Sequence, residues 1–249
     1  MKRCALLLFV VLVFGAAPGW AGELPSGFVY LSDVDPTIVQ EMRYFGYHNF
    51  LGRPVDGYGA PECILKEEAA RDLKIVQDEL RAMSMSLKVY DCYRPQRAVD
   101  DFVQWSGKPE EQATKAEFYP NVNKADFFKL GYVAKKSSHS KGVAVDLTIV
   151  PLPVPDQPDY VPGQPLEACT SPAELRFPDN TLDMGTSFDC LDPQSHTFSD
   201  AIPEAARKNR LLLRDLMLSH NFDPYDKEWW HFSHTSGGPD RYDFPITPK

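Results

Sequence analysis

The sequence predicts one α+β domain, and three observations carry that prediction. Lys66 to Met83 and Glu204 to His220 place apolar residues at helical steps, Ser86 to Asp91 and Val143 to Val150 read as strands, and no segment repeats another. A chain of 249 residues can bury a full core, and this mixture is most simply a single domain.

At the N-terminus, Lys2 and Arg3 precede an apolar run from Ala5 to Phe14 and small residues ending in Gly19-Trp20-Ala21. That is the layout of a secretory signal peptide, and the run is too short to cross a bilayer as a helix. Residues 1–21 are expected to be removed on export, leaving 22–249 as a periplasmic or secreted domain without a membrane span. Cys4 lies too early to serve as a lipobox cysteine. The mature chain keeps Cys63, Cys92, Cys169 and Cys190, an even set suited to disulfides in an oxidising compartment. Of the three pairings, Cys63 with Cys92 and Cys169 with Cys190 are favoured, because each closes a moderate loop and neither crosses the other. A net charge of −9 and the lack of any basic cluster argue against nucleic acid as a partner. No obligate protein partner is evident either.

Between Lys66 and Met83, the residues Ala69, Leu73, Val76, Leu80 and Met83 recur at alternating steps of four and three, which predicts an amphipathic helix. Leu87, Val89 and Asp91 then alternate with Lys88 and Tyr90 as in a strand. Gln96 to Trp105 reads as helix, with Pro95 in its first turn and Arg94 in the extended residue before it. Arg94 is thereby placed at a strand-to-helix junction, where a side chain can reach a cleft. Val143 to Val150 is expected to be a buried strand with Asp146 pointing away from its bulkier apolar face. Pro151 to Pro178 is too rich in proline for helix or central strand and is read as a long surface loop, clipped by Cys169 and Cys190. The helix from Glu204 should take its cap from Ser199 or Asp200, with Pro203 near the first turn. Its core stripe should come from Leu212, Leu216 and either Leu213 or Met217. Asn221 to Phe232 reads as a turn leading into an aromatic strand.

Two short segments carry the chemistry: Ser138-His139-Ser140-Lys141-Gly142-Val143-Ala144-Val145-Asp146 and Glu228-Trp229-Trp230-His231. Two imidazoles and a carboxylate suit a three-ligand catalytic zinc site, and the spare carboxylate suits its general base. His48, His196, His220 and His234 compete as ligands on composition alone. His139 and Asp146 are seven residues apart and would face opposite ways in one regular strand, so a bend is expected at Gly142. Glu228 and His231 pose the same problem, which predicts a helical-type turn or bulge between them. Trp229 and Trp230 are then expected to wall the site and lower its dielectric.

Ser137 to Asp146 fits the pattern Ser-x-His-x-x-Gly-x-x-x-Asp, and Glu228-Trp229-Trp230-His231 fits its partner. The chain resembles the VanX-type D-alanyl-D-alanine dipeptidases, zinc enzymes of the wider D,D-carboxypeptidase and Hedgehog-like fold. Further matches run through most of the mature chain, among them Tyr44, Gly52-Arg53-Pro54-Val55-Asp56-Gly57-Tyr58, Tyr93-Arg94-Pro95, Met184-Gly185-Thr186-Ser187-Phe188-Asp189 and Tyr242-Asp243-Phe244-Pro245. The resemblance implies a small, mostly antiparallel central sheet flanked by helices. It also implies one Zn2+ per chain, held by His139, Asp146 and His231, with Glu228 as the catalytic base. Arg94 would stabilise the developing oxyanion, while Tyr44, Ser137 and Asp189 would line the substrate pocket, Asp189 meeting an ammonium group. Two departures stand out. Cys92 occupies a position where a small residue such as glycine is expected, and a disulfide there would stiffen Arg94. The proline-rich loop is longer than in compact members and is expected to shape the pocket entrance.

The expected reaction is hydrolysis of D-alanyl-D-alanine or a related D,D-dipeptide by metal-activated water. One alternative is a D,D- or L,D-carboxypeptidase or endopeptidase acting on peptidoglycan stems, which needs an open cleft. Another is a secreted zinc-stabilised binding module without catalysis, for which Glu228 and Arg94 would be superfluous.

Overall fold

The computed structural model describes residues 24–249, so the signal-peptide segment lies outside the described residues. Strands β1 (Phe28–Tyr30), β2 (Val39–Gln40), β3 (Ile64–Lys66), β4 (Met85–Asp91), β5 (Ala144–Pro151), β6 (Phe222–Tyr225) and β7 (Glu228–His234) form two sheets. The main sheet has the order β2-β4-β5-β7-β6; β2 runs parallel to β4 and every other pairing is antiparallel. A second, two-stranded antiparallel sheet joins β1 to β3. Helices are α1 (Leu31–Val34), α2 (Glu67–Ala82), α3 (Gln96–Ser106), α4 (Lys115–Phe118), α5 (Phe127–Leu130) and α6 (Glu204–Ser219). The result is the α+β domain with a mostly antiparallel sheet that the sequence predicts. The short β1, β2 and β3 are too brief to announce themselves by periodicity.

Helix α2 buries Ala69, Ala70, Leu73, Val76, Gln77 and Leu80. They share one core with Leu87 and Val89 of β4, Val145, Leu147 and Ile149 of β5, and Leu213 and Met217 of α6. Met83 does not join this stripe: it is the C-cap of α2 and is 42 % exposed. In α6 the buried positions are Ala206, Arg210, Leu213 and Met217, whereas Leu212 and Leu216 lie at the core's edge. The N-cap is Pro203, with no side-chain cap from Ser199 or Asp200. Arg210 is fully buried because its guanidinium donates to the carbonyls of Met184, Gln194 and His196 at 2.6–2.9 Å, bracing a loop that has no strands to order it. Pro95 is the N-cap of α3 rather than a residue of its first turn. A second, aromatic core gathers Tyr44, Phe50, Phe102, Trp105, Phe118 and Phe127 around α3.

Both expected disulfides are present, Cys63–Cys92 and Cys169–Cys190, with Cα atoms 5.3 and 5.5 Å apart. From Leu152 to Asp192 the chain forms no helix or strand, as its prolines dictate up to Pro178. This loop is nonetheless anchored. Lys88, buried on the face of β4 opposite the main core, donates from Nζ to Gln157 at 2.6 Å and pairs with Asp179 at 2.5 Å and Glu41 at 2.5 Å. The ring of Tyr160 stacks on His48 with centroids 4.2 Å apart.

Candidate active site

Three adjacent strands bring the site together. In the sheet register Asp91 of β4 lies opposite Asp146 of β5, and Asp146 lies opposite His231 of β7, so the three form a row across the sheet. Residues paired across antiparallel strands project to the same face. His139 reaches this row from a one-turn helix, His139–Lys141, that ends on Gly142 in the left-handed conformation (φ 75°). This is the bend that the spacing requires. Only glycine fits, since a Cβ there would lie 2.2 Å from Cε1 of Phe28. The irregularity before His231 is present as well: Phe232 pairs with Pro224 but Glu228 pairs with the very next residue, Tyr225, so β7 bulges between them.

His139 Nε2, His231 Nδ1 and Asp146 Oδ1 form a triangle with edges of 3.0, 3.0 and 3.3 Å. A backbone carbonyl fixes the tautomer of His139, since it can only accept. His139 donates its Nδ1–H to the Cys92 carbonyl at 2.7 Å, and His231 Nε2 lies 3.2 Å from Ser138 Oγ and 3.3 Å from Ser233 Oγ. With His139 Nδ1 protonated, its Nε2 lone pair faces His231 Nδ1 and Asp146 Oδ1, and two imidazole nitrogens with a carboxylate oxygen at this spacing are a donor set suited to a metal cation. Ligands about 2.0–2.1 Å from a tetrahedral zinc ion are separated by roughly 3.3 Å, so the donor set and its spacing fit that ion. Burial works to raise the Asp146 carboxyl, yet the imidazoles of His139 and His231 hold it below the usual carboxylate range.

Around this triangle lies a cavity of about 280 Å3. Its wall includes all the sequence-predicted site residues, namely Tyr44, Arg94, Ser137, His139, Asp146, Asp189, Glu228 and His231. Glu228 Oε2 is 4.0 Å from His231 Nδ1, and burial together with the Asp146 charge pushes its carboxyl up to about 8. Arg94 is gripped by Asp91, whose Oδ2 accepts from Nε at 2.9 Å and Nη2 at 2.7 Å, while its guanidinium lies over the rings of Tyr44 and Phe102. Burial opposes the Arg94 charge, but the Asp91 carboxylate outweighs it and holds the group well above its ordinary range. Tyr44 donates its hydroxyl to Asp189 Oδ2 at 2.7 Å. Asp189 itself adopts φ 60°, and burial with the Asp146 charge raises its carboxyl well above the usual range.

The structure also corrects two expectations and adds residues. Trp230 lines the cavity, but Trp229 points to the other side, where its indole N–H donates to Thr186 Oγ1 at 2.9 Å. Adjacent residues on a strand face opposite ways, and the bulge does not undo this for the pair. No residue from 152 to 188 lines the cavity, so the proline-rich loop does not shape its entrance. Its prolines carry it to the Lys88 and His48 face instead. Asp91, Tyr132, Lys136 and Tyr225 were not anticipated as neighbours of the site. For Asp91 the signal is the alternation that places it on a strand; for Tyr132 it is the run Gly131-Tyr132-Val133-Ala134, a further match to the dipeptidases, all of which lines the cavity.

A row of carboxylate and imidazole groups across the three central strands, opening on a small polar cavity within an α+β domain, defines a hydrolase-like protein with a candidate metal centre. The family model described as D-ala-D-ala dipeptidase, of the M15 peptidases, matches residues 25–153 and 175–247. A D-alanyl-D-alanine dipeptidase of Enterococcus faecium is 34 % identical over 222 residues, covering 88 % of this chain and 98 % of that protein. One of Streptomyces coelicolor is 36 % identical over 225 residues, covering 90 % and 100 %, and one of Escherichia coli is 28 % identical over 204 residues, covering 82 % of each. The chain belongs to the D-ala-D-ala dipeptidase family, which places it among the peptidases.

Proposed function

We propose that this protein hydrolyses free D-alanyl-D-alanine or a closely related D,D-dipeptide, using one zinc ion held by His139, Asp146 and His231. The observation that carries the reading is the single cavity of about 280 Å3 whose wall combines that triad with Glu228, Arg94 and Asp189. When bound there, zinc supplies Lewis acidity that makes water a better nucleophile and polarises a carbonyl. Glu228 takes the proton from the attacking water and delivers it to the leaving amine. Its carboxylate, 4.0 Å from His231 Nδ1 on the cavity wall, stands where both halves of that transfer need it. Arg94 has Nε and Nη2 committed to Asp91, which leaves Nη1 to donate to the carbonyl oxygen as negative charge develops on it. Asp189, oriented by Tyr44, receives the substrate ammonium, and arrival of that cation favours its ionised form. Ser137 lines the same wall and contacts the substrate from the turn that carries His139.

A cavity at the small end of the range for ligand pockets favours a free dipeptide over a peptidoglycan stem. Export is part of the proposal: residues 1–21 act as the signal peptide and 22–249 work in the periplasm or outside the cell. The layout of the N-terminus and the two disulfides support this. Among the described residues no helix is long and apolar enough to cross a membrane. The test is a zinc-dependent activity panel of free and N-acylated D,D-dipeptides. Cleavage of the free form alone is expected, equal cleavage of both would indicate a carboxypeptidase, and cleavage of neither a binding module. Glu228→Ala should keep its zinc and lose turnover by several orders of magnitude.

A further inference from the structure

The acceptor that orients His139 is the main chain of a disulfide-bonded residue. Cys92 follows directly on Asp91, and its carbonyl lies 2.7 Å from His139 Nδ1. The other acceptor nearby, Asp91 Oδ2 at 3.5 Å, is engaged by Arg94. Cys92 is bonded to Cys63, 29 residues earlier and immediately before β3. Cys63 is held in turn: its N–H donates to Gln40 Oε1 at 2.9 Å and its carbonyl accepts from Leu31 N–H at 2.9 Å. Both cysteines are fully buried. The disulfide thus ties the carbonyl facing His139 to the segments carrying β1, β2 and β3.

We propose that Cys92, through its bond to Cys63, is a positioning residue for His139: it fixes the carbonyl that holds the ring with Nδ1 protonated and Nε2 aimed at Asp146 and His231. This rests on the reading of His139 as a metal ligand. Groups that accept the second N–H of a ligating histidine set its tautomer and orientation, and losing one costs typically about 10–100-fold in metal affinity. The peptide unit that carries this carbonyl is also held through its N–H, Tyr93 donating to the Ile64 carbonyl at 2.9 Å, so losing the disulfide shifts the carbonyl rather than frees it. A shift suffices for the Nδ1–H to turn toward Asp91, drawing the imidazole from the triangle and competing with Arg94 for the same carboxylate.

The experiment compares zinc dissociation constants, by competition with a chromophoric chelator well below the melting temperature, for the parent protein, C63A/C92A and C169A/C190A. Each variant loses one disulfide and some stability, but only the first touches the His139 acceptor. A rise of about 10–100-fold in C63A/C92A is expected, with C169A/C190A within twofold of the parent. If C63A/C92A does not fold, C63A/C92V, which restores buried volume beside the carbonyl, takes its place. An unchanged constant in the folded variant, or an equal rise in both disulfide variants, overturns the proposal. A parent protein that takes up no zinc overturns instead the metal reading beneath it.

Discussion

Asp91 and Asp146 are register partners on adjacent antiparallel strands, both almost fully buried, and each has its own closest partner although Arg94 Nη2 also lies 3.6 Å from Asp146 Oδ2 and His139 Nδ1 3.5 Å from Asp91 Oδ2. Asp91 is committed to Arg94 and also accepts the Tyr58 hydroxyl at 2.6 Å, whereas Asp146 faces the two imidazoles. Like charges side by side in a low dielectric are tolerated only when each has its own partner. Arg94→Ala is therefore expected to lower kcat on D-alanyl-D-alanine roughly 10²–10³-fold at unchanged zinc content. Asp91→Asn should cost less, and the double variant should be no slower than Arg94→Ala alone, because the pair acts as one unit. Steady-state kinetics with zinc quantified in each preparation checks this; additive losses would assign the two residues independent roles.

Asp189 lies at the ammonium end of the proposed pocket. Asp189→Asn should raise KM for the free dipeptide at least tenfold while leaving any weak turnover of the N-acetylated form unchanged, since only the first substrate carries the cation it meets. A parallel loss on both substrates would make Asp189 a structural group.

Gly142 carries the turn that delivers His139. Gly142→Ala places a methyl group against Phe28 in a backbone conformation that disfavours side chains, so a loss of about 1–3 kcal/mol is expected. Zinc affinity should fall with it, because the turn must open to relieve the clash. Thermal melting and chelator competition measure the two effects separately.

Glu117 offers a pH test remote from the cavity. Its Oε1 accepts the Nε2–H of neutral His48 at 2.7 Å, and burial pushes its carboxyl from 4.5 up to about 7. A carboxyl raised in the fold contributes stability that is fully present below its unfolded value and is lost as pH rises through its folded value. The window here runs from about pH 4.5 to 7. Glu117→Gln keeps an acceptor and carries no charge. It should match the parent near pH 4 and be more stable at pH 8, by up to about 3 kcal/mol. Denaturant melts across that range decide it; a gap that does not change with pH would show that burial does not raise Glu117.

Much of the site was legible because its residues sit in two short segments whose odd spacings force bends. The turn at Gly142 and the bulge before His231 are where those spacings place them. Asp91 escaped notice as a neighbour of the site because a carboxylate ending a strand looks like any other until register sets it beside Asp146. Lys88 looked like the polar side of a half-buried strand, but its partner Asp179 is 91 residues away in a loop without periodicity. Such long-range polar pairing leaves no local trace. That Trp229 turns into the core on the other face of the strand is concealed by its neighbour, since two adjacent tryptophans read alike and only the strand's alternation separates them.

The anchored proline-rich loop has a further consequence. It leaves and rejoins the body on the Lys88 and His48 face, none of its residues from 152 to 188 borders the cavity, and the family match is interrupted between 153 and 175. Near its tip Val161 is 59 % exposed, and a side chain added at Gly163 would meet nothing within 4 Å. That tip is a natural graft point: a tag, a fluorophore or a wall-binding module inserted there would travel with the enzyme without entering its chemistry.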